Sequence, residues 1–597
     1  MKKDEEREQL QHKHVWLRKK GLLQQEQIAL PGRYEIGAAA LIALSALLRL
    51  LLIGQGWPVT DSDESTMGLM ALHIANRGDH PVFFYGQNYM GSFEAFLGAG
   101  LFHLFGPSTF TLRLGLIVLF VLFLICMYLL TSLLYSKPLA LASLLLLSLG
   151  SEGIVKQELY AIGGYPETLL FGALVLLIAS RLALSSSSNT SPHHQRSRYL
   201  VYACWGLAAG VGLWSDLLII PIVLMATLLL LVGCWREWRT WALPCLLLGL
   251  VIGALPLLYY NLTALPGQDS LSVLLRIHAV DQVYHLPVMN QIKGAFFISL
   301  PIITGVTPSC PVITGQQIGF AGPHPLRCLL EYAGWGMGFT FLWIIASVLA
   351  IAALWKLRPR MEAKAWSPEE RQAGMRQVAR LVLLGSAGLM MLLYASSPNA
   401  AKWPQTNDRY LIGLLLAIPA VISPLWVGTL TVARGARIIV AAKAMLLLLI
   451  GLVFLLGTIG IFQALPLAQS QDRRQEALIH DLLQRGVTRM YSDYWTCDRV
   501  IFQSNEQIIC SVIQGQLQPG VNRYKFYIAV VKADPDAAYV LPTDSSLAAA
   551  FERLMPQKGV KYQHLTLDGY EIYYKPNSSY VTARSNGEPS FGTGIGT

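Results

Sequence analysis

"DSDESTMGLMALHIANRG", Asp61–Gly78, sets three carboxylates in four positions directly after the first long apolar run of the chain. With Asp61 as N-cap, Glu64 falls at N3, the spacing of a capping box. Carboxylates in a first helical turn also complement the helix dipole, by roughly 0.3–1 kcal/mol each. Beyond them Met67, Met70, Ala71 and Ile74 recur at i, i+3, i+4 and i+7, an apolar stripe that Gly78 ends. The pattern predicts an amphipathic helix over 62–77, lying at the outer membrane surface. Capping accounts well for one carboxylate and adequately for two. A third calls for another use, either as a base for a hydroxyl nucleophile or as a metal ligand through Asp61-Ser62-Asp63.

The rest of the chain is that of a polytopic membrane protein. Of its 597 residues 53% are hydrophobic and 14% charged, with a mean hydropathy of +0.45; soluble domains carry about 25% charged residues. Eleven apolar runs are long enough to cross a bilayer: 34–54, 109–134, 138–155, 166–184, 199–214, 217–234, 241–261, 333–355, 380–397, 409–430 and 438–463. Basic residues gather in alternate loops: 1–33, Lys137, Arg196 with Arg198, Arg236 with Arg239, 356–380 and 434–443. Residues 55–110 hold one basic residue, Arg77, against five acidic ones. This positive-inside pattern predicts a cytoplasmic N-terminus and, with an odd number of spans, an outside C-terminal region. It also argues against a nucleic-acid partner, although the net charge is +10. The first apolar run reads as an uncleaved anchor.

Four parts follow. Residues 1–33 form a charged cytoplasmic lead, and 34–463 a transmembrane body with large outside loops at 55–108 and 262–332. Residues 466–575 read as an extracytoplasmic α/β domain, and 576–597 as a polar disordered tail. In the α/β part a helix over 471–486 stops at Gly486, and strands are expected at "RMYSD", "QIICSV", "AAYVL", "KYQHLTL" and "YEIYYK", with a helix at 545–554. Among the eight cysteines, Cys310 with Cys328 and Cys497 with Cys510 fall in outside segments and suit disulfides. Linker 185–198 carries His193 and His194, read as solvated residues rather than metal ligands.

An apolar first span, an outside Asp-Glu pair and an amphipathic helix ending in Gly are followed by "HPVFFYGQNYMGSFEAFLGAGLFHLFG" (His80–Gly106). Later comes "NDRYLIGLLLAIP" (Asn407–Pro419). This order resembles the GT-C membrane glycosyltransferases, in particular the protein O-mannosyltransferase and aminoarabinose-transferase group. The resemblance covers about 34–463 in topology, and its motifs occupy a small part of that. It implies a GT-C-like body of about eleven transmembrane helices and a polyprenyl-phosphate sugar donor. It also implies transfer to a lipid, glycan or protein hydroxyl on the outer face, usually with inversion. A base is needed near the attacking hydroxyl. The leaving phosphate needs only charge stabilisation, so no cofactor is required, and a divalent cation is left open.

Asp63 aligns with the Asp of the family's Asp-Glu pair and is the expected base, with Asp61 the competitor and Glu64 orienting the site or capping the helix. Arg409, beside Tyr410 at the start of a span, is the expected phosphate ligand, with Lys402 second; interfacial anchoring is the plain alternative for Arg409 and Tyr410. Sugar contacts are expected from Tyr85, Gln87, Asn88 and Tyr89, and from Glu158, Tyr165 and Glu167 in "VKQELYAIGGYPET" (Val155–Thr168). The plain alternatives there are an aromatic belt and a solvated loop. Arg49, inside the first span, is expected to snorkel. Loop 262–332 is long enough to cover the site. A transporter or lipid-sugar flippase with outer-mouth carboxylates is the competing function, but paired midplane charges and a repeat between halves are not evident. A non-catalytic membrane scaffold is the third.

Overall fold

A computed structural model describes residues 32–185, 192–283, 285–363, 367–426, 437–557 and 561–575. Nearly all of the expected cytoplasmic lead, the expected tail and the centre of the 185–198 linker lie outside them. Among the described residues eight helices are long and apolar enough to cross a membrane: Arg33–Gly54, Thr109–Leu134, Tyr165–Leu184, Leu217–Cys234, Pro325–Leu357, Glu369–Ala395, Asn407–Trp426 and Arg437–Gln484. The count rises to ten if two bent pairs are each one span. The expected run 199–214 lies in helix Pro192–Ser215, which is not among the ten. Apolar side chains such as Leu44, Leu47, Leu448 and Leu452 remain exposed along these helices, as lipid-facing positions do.

Two expected straight spans are broken. Helices Lys137–Ser148 and Glu152–Leu159 meet at 84°, and Ala242–Gly253 and Leu255–Thr263 at 67°. The second break falls where Gly253 is closely followed by Pro256, which cannot donate the helix hydrogen bond. Helix Pro192–Ser215 packs against Ala242–Gly253 backbone to backbone. A Cβ on Gly206 would meet the Leu246 carbonyl, and one on Gly249 the Ala203 carbonyl. Gly206 with Gly210, and Gly249 with Gly253, therefore form facing small-residue seams of the kind that associate helices in lipid.

The 55–108 loop departs most from expectation. Its helix forms at Ser62–Arg77, with Gly78 left-handed at the C-cap (φ 69°). It does not lie on an open surface, because Ser62 and every residue from Glu64 to His73 are buried. Helices Phe93–Phe105 and Thr109–Leu134 pack on it from the membrane body, and helix Tyr494–Gln503 of the C-terminal domain covers the remaining face. The approach is close: a Cβ on Gly68 would overlap the Phe502 ring. The polar side of the amphipathic pattern is an interdomain seam.

Loop 262–332 is itself structured, with helix Ser270–Gln282, helix segments from Val288 to Thr304 and a small hairpin of β1 (Val312–Ile313) and β2 (Gly319–Phe320). The Cys310–Cys328 disulfide brackets that hairpin. The last apolar run and the expected 471–486 helix are one continuous helix, Arg437–Gln484. Gly486 ends it at positive φ, and Val487 donates back to the Leu482 carbonyl at 2.9 Å.

The C-terminal domain is α/β, as expected. Its strands are β3 (Arg489–Ser492), β4 (Ile509–Gln514), β5 (Gln518–Pro519), β6 (Ala538–Pro542), β7 (Gln563–Leu567) and β8 (Tyr570–Tyr574), in the order β5-β4-β3-β6-β8-β7. Strand β3 is parallel to both β4 and β6, while β5, β7 and β8 pair antiparallel with their neighbours. Helices Tyr494–Gln503 and Phe526–Ala533 make the crossovers, and the Cys497–Cys510 disulfide ties the first to β4. Those two helices and edge strand β5 were not anticipated from the sequence.

Candidate active site

The first turn of helix Ser62–Arg77 sends its carboxylates in three directions. Asp61 is the N-cap, and its Oδ1 accepts from the Glu64 backbone N–H at 3.0 Å. Burial pushes its carboxyl up to about 6, against the pull of that backbone bond and with a further push from Asp63 and Glu64. Glu64 does not reach back to complete the capping box. It is buried and takes a bidentate pair from Arg113, Nε to Oε1 at 2.7 Å and Nη2 to Oε2 at 2.5 Å. This pins the turn to helix Thr109–Leu134, and both oxygens of Glu64 are occupied.

Asp63 faces a cavity of about 360 Å³ lined also by Gln87, Tyr89, Tyr165, Asp216, Arg409 and Tyr410. Leu274 and Ile277 of helix Ser270–Gln282 also line it, so the 262–332 loop contributes to one wall of the cavity. Arg409 opens a segment, Asn407–Ala417, that winds as a 3₁₀-helix before continuing as α-helix. Its guanidinium lies 5.8 Å from the Tyr165 ring centre and 5.7 Å from that of Tyr410. Among the described residues Arg409 forms no salt bridge, and its Nε has no hydrogen-bond partner. The cavity therefore offers a held cation that is not in direct contact with a carboxylate, together with two carboxylates, phenols and amides. Such a lining fits an anionic, hydroxyl-rich ligand.

Asp216 was not singled out from the sequence. It sits in the turn between helices Pro192–Ser215 and Leu217–Cys234, where its Oδ1 accepts from the Leu218 N–H at 2.9 Å. Burial pushes its carboxyl up to about 7, opposed by that bond and by Arg409. Gly164, at φ 83°, packs so closely on Asp216 that a Cβ would overlap it, and Gly163, also at positive φ, packs on Met90.

Other expected site residues lie elsewhere. Glu158 is not in the cavity lining. It pairs with Arg49 at 2.6 Å, both side chains buried. Arg49 also donates to Ser45 Oγ at 2.8 Å and to the Ser148 carbonyl at 2.5 Å. Snorkelling is thus replaced by a sealed ion pair, the arrangement an intramembrane charge requires. Glu167 is buried beside Glu94. Lys402 is 3.8 Å from Asp281 and outside the lining, where its neighbour Asn399 is found instead. The Tyr85 hydroxyl meets His73 Nδ1 at 2.9 Å, and Asn88 binds Gln268 and Ser270 of the 262–332 loop. Both shape the rim rather than the cavity.

The C-terminal domain reaches the same place. Arg523 Nη2 donates to Asp63 Oδ1 at 2.9 Å, and the Tyr494 hydroxyl donates to the same oxygen. Farther along the helix Thr66 Oγ1 donates to Asp498 at 3.0 Å, and His73 Nε2 lies 3.1 Å from the Tyr527 hydroxyl and 3.3 Å from Glu506. Burial would raise Glu506, but His73, Tyr527 and the Arg77 charge hold it down at about 2. Nothing in the sequence near 494–527 marks these residues as partners of a helix more than four hundred positions earlier. A larger cleft of about 920 Å³ borders Thr60, Arg113 and Asp472, without Asp63 or Arg409. Among the described residues no group of three His, Cys, Asp or Glu side chains converges as a metal cage.

No family model and no curated protein matches the chain. Solved structures do. ArnT from Cupriavidus metallidurans bound to undecaprenyl phosphate matches with a TM-score of 0.54 at 12% identity, over 90% of this chain and 98% of that one. The apo state of the same protein matches at 0.52 and 12% identity, over 90% and 97%. At that identity the likeness is one of fold. It spans the membrane body and the C-terminal domain together, so the chain shares the overall fold of that ArnT structure.

Proposed function

We propose that this protein is a membrane glycosyltransferase that moves a monosaccharide from a polyprenyl-phosphate donor to a hydroxyl acceptor on a lipid, glycan or protein. The observation that carries this reading is one cavity holding both Asp63 and Arg409, with no salt bridge between them. ArnT, of the same fold, binds undecaprenyl phosphate. In the proposed step the acceptor oxygen attacks the anomeric carbon with inversion. The bond from that carbon to the phosphate oxygen breaks, the polyprenyl phosphate leaves with the electron pair, and the acceptor proton passes to Asp63. Arg409 meets the growing phosphate charge, and Tyr165 and Tyr410 hold its guanidinium in place.

The charge pattern of the loops supports a cytoplasmic N-terminus and an outer-face site, and we place the protein in a bacterial cytoplasmic membrane. The test uses purified protein in detergent with radiolabelled polyprenyl-phosphate monosaccharides and a membrane-lipid extract, with and without chelator. Transfer or donor hydrolysis that is lost in Asp63→Asn, with folding retained, supports the reading. Loss only in Asp61→Asn moves the base, and chelator sensitivity brings in a cation. A donor that binds and is carried across vesicles without bond cleavage would make the protein a flippase instead.

A further inference from the structure

The contacts of Arg523 go beyond what domain docking needs. Docking is already served by Ser62 Oγ on the Tyr494 carbonyl, Thr66 on Asp498, Arg77 on Glu506 and Phe502 against Gly68. Arg523 is instead committed to Asp63, one of the two carboxylates, with Asp216, that line the cavity. Its Nε donates to the Tyr494 hydroxyl at 2.8 Å, and Nη2 donates to Asp63 Oδ1 at 2.9 Å. With the Gln87 amide turned so that its oxygen faces the guanidinium, that oxygen accepts from Nη1 at 3.0 Å and Nη2 at 3.1 Å. Phe84 and Tyr494 lie against the guanidinium at 5.1 and 5.4 Å. The side chain is 13% exposed and does not line the cavity.

We propose that Arg523 is a positioning residue of the active site, through which the C-terminal domain fixes the rotamer of Asp63. It binds Oδ1 and leaves Oδ2 for the acceptor proton. The inference rests on the glycosyltransferase reading. Two cations compete for Asp63. Without Arg523, the carboxylate is free to swing toward Arg409 and neutralise the charge meant for the phosphate. Arg523 and Tyr494 anchor it on the opposite side, so the base and the phosphate site stay separate. Tyr494 follows the carboxyl end of β3, and Arg523 lies between edge strand β5 and helix Phe526–Ala533. In open α/β sheets it is the carboxyl ends of parallel strands that present functional groups.

The test measures donor turnover, undecaprenyl-phosphate binding and domain docking by limited proteolysis on the full chain in detergent. Arg523→Gln is expected to lower kcat about 100-fold, the scale of a misplaced catalytic group, and, as Asp63 turns toward Arg409, to weaken undecaprenyl-phosphate binding by less than Arg409→Gln does. Arg523→Lys, which keeps the charge but not the fork, recovers part of the loss. Tyr494→Phe gives a smaller loss in the same direction. Combined with Asp63→Asn, Arg523→Gln adds nothing further. Unchanged kcat, a rise in KM alone, or a loss that tracks undocking would make Arg523 a docking contact and overturn the proposal. If the wild type turns over no donor although Asp63 and Arg523 are coupled in thermal stability, the ion pair stands. The glycosyltransferase reading then fails, and the positioning role fails with it.

Discussion

Asp63 and Glu64 are neighbours with the same charge, and the structure puts them to opposite uses. Glu64 meets Arg113 with both oxygens in a sealed site, and Glu158 meets Arg49 through Oε2 in a second sealed pair deeper in the body. Asp63 shares a cavity with Arg409, and the two are not paired. A buried carboxylate whose lone pairs are all taken holds structure together, because removing its partner leaves an uncompensated charge. One that keeps an oxygen toward a cavity can still accept a proton. The comparison separates charges that hold the fold from charges left available for chemistry.

The sharpest way to break it is to neutralise each in turn. Asp63→Asn is expected to cost about 10²–10⁴-fold in turnover, the range for a general base, with a smaller loss of thermal stability than Glu64→Gln, because the amide oxygen still accepts from Arg523. Glu64→Gln and Glu158→Gln are expected to do the reverse. Each strands a buried guanidinium, at about 3–5 kcal/mol of stability, while the molecules that fold keep their turnover. Equal effects of Asp63→Asn and Glu64→Gln on turnover per folded molecule, read by activity against a folding-sensitive fluorescence signal, would erase the distinction.

Arg409→Gln sharpens the cavity side. Losing hydrogen bonds to a charged phosphate costs about 1.5–3 kcal/mol, so undecaprenyl-phosphate binding should weaken about ten- to hundredfold in a titration. The same change at Lys402, outside the lining, should leave binding near the wild-type level.

Two pH experiments probe the seam between the body and the C-terminal domain. Glu506 is held down at about 2 by His73, Tyr527 and Arg77. Its contribution is therefore complete above the ordinary carboxyl value and is lost as pH falls toward 2. Glu506→Gln should destabilise by about 1–2 kcal/mol after allowance for solvent screening, steadily above pH 5, and the gap should close in acid. Asp61 has the opposite sign. Its carboxyl is raised to about 6, so its ionisation costs stability as pH rises from about 4 through 6. Asp61→Asn, which keeps a cap acceptor, should gain slightly on the wild type at pH 8 and not at pH 4. Thermal melts at both pH values decide it.

Much of the fold was legible because lipid imposes simple rules. Apolar runs, alternate basic loops and strand-like alternation in "RMYSD" or "YEIYYK" are local signals, and the helices and five of the six sheet strands appear where they point. The breaks near Gly150 and Ala254 were missed because hydropathy averages over a bend. For the site, Asp63, Gln87, Tyr89, Tyr165, Arg409 and Tyr410 were legible and converge. Glu158 and Lys402 were misplaced because a charge near a helix mouth looks the same in sequence whether it faces a cavity or a partner. Asp216, Tyr494 and Arg523 carry no local mark.

The sequence by itself therefore determined the membrane-embedded helices, the capped and glycine-stopped helix 62–77, both disulfide pairs and the α/β class of the C-terminal part. Each is set by chemistry within a few residues or by the hydrocarbon around the chain. Tertiary structure alone decided which carboxylate is sealed and which is left facing the cavity. That depends on whether a guanidinium from another helix or another domain arrives to meet it, and the energy of a buried charge lies in its partners rather than in its own position along the chain.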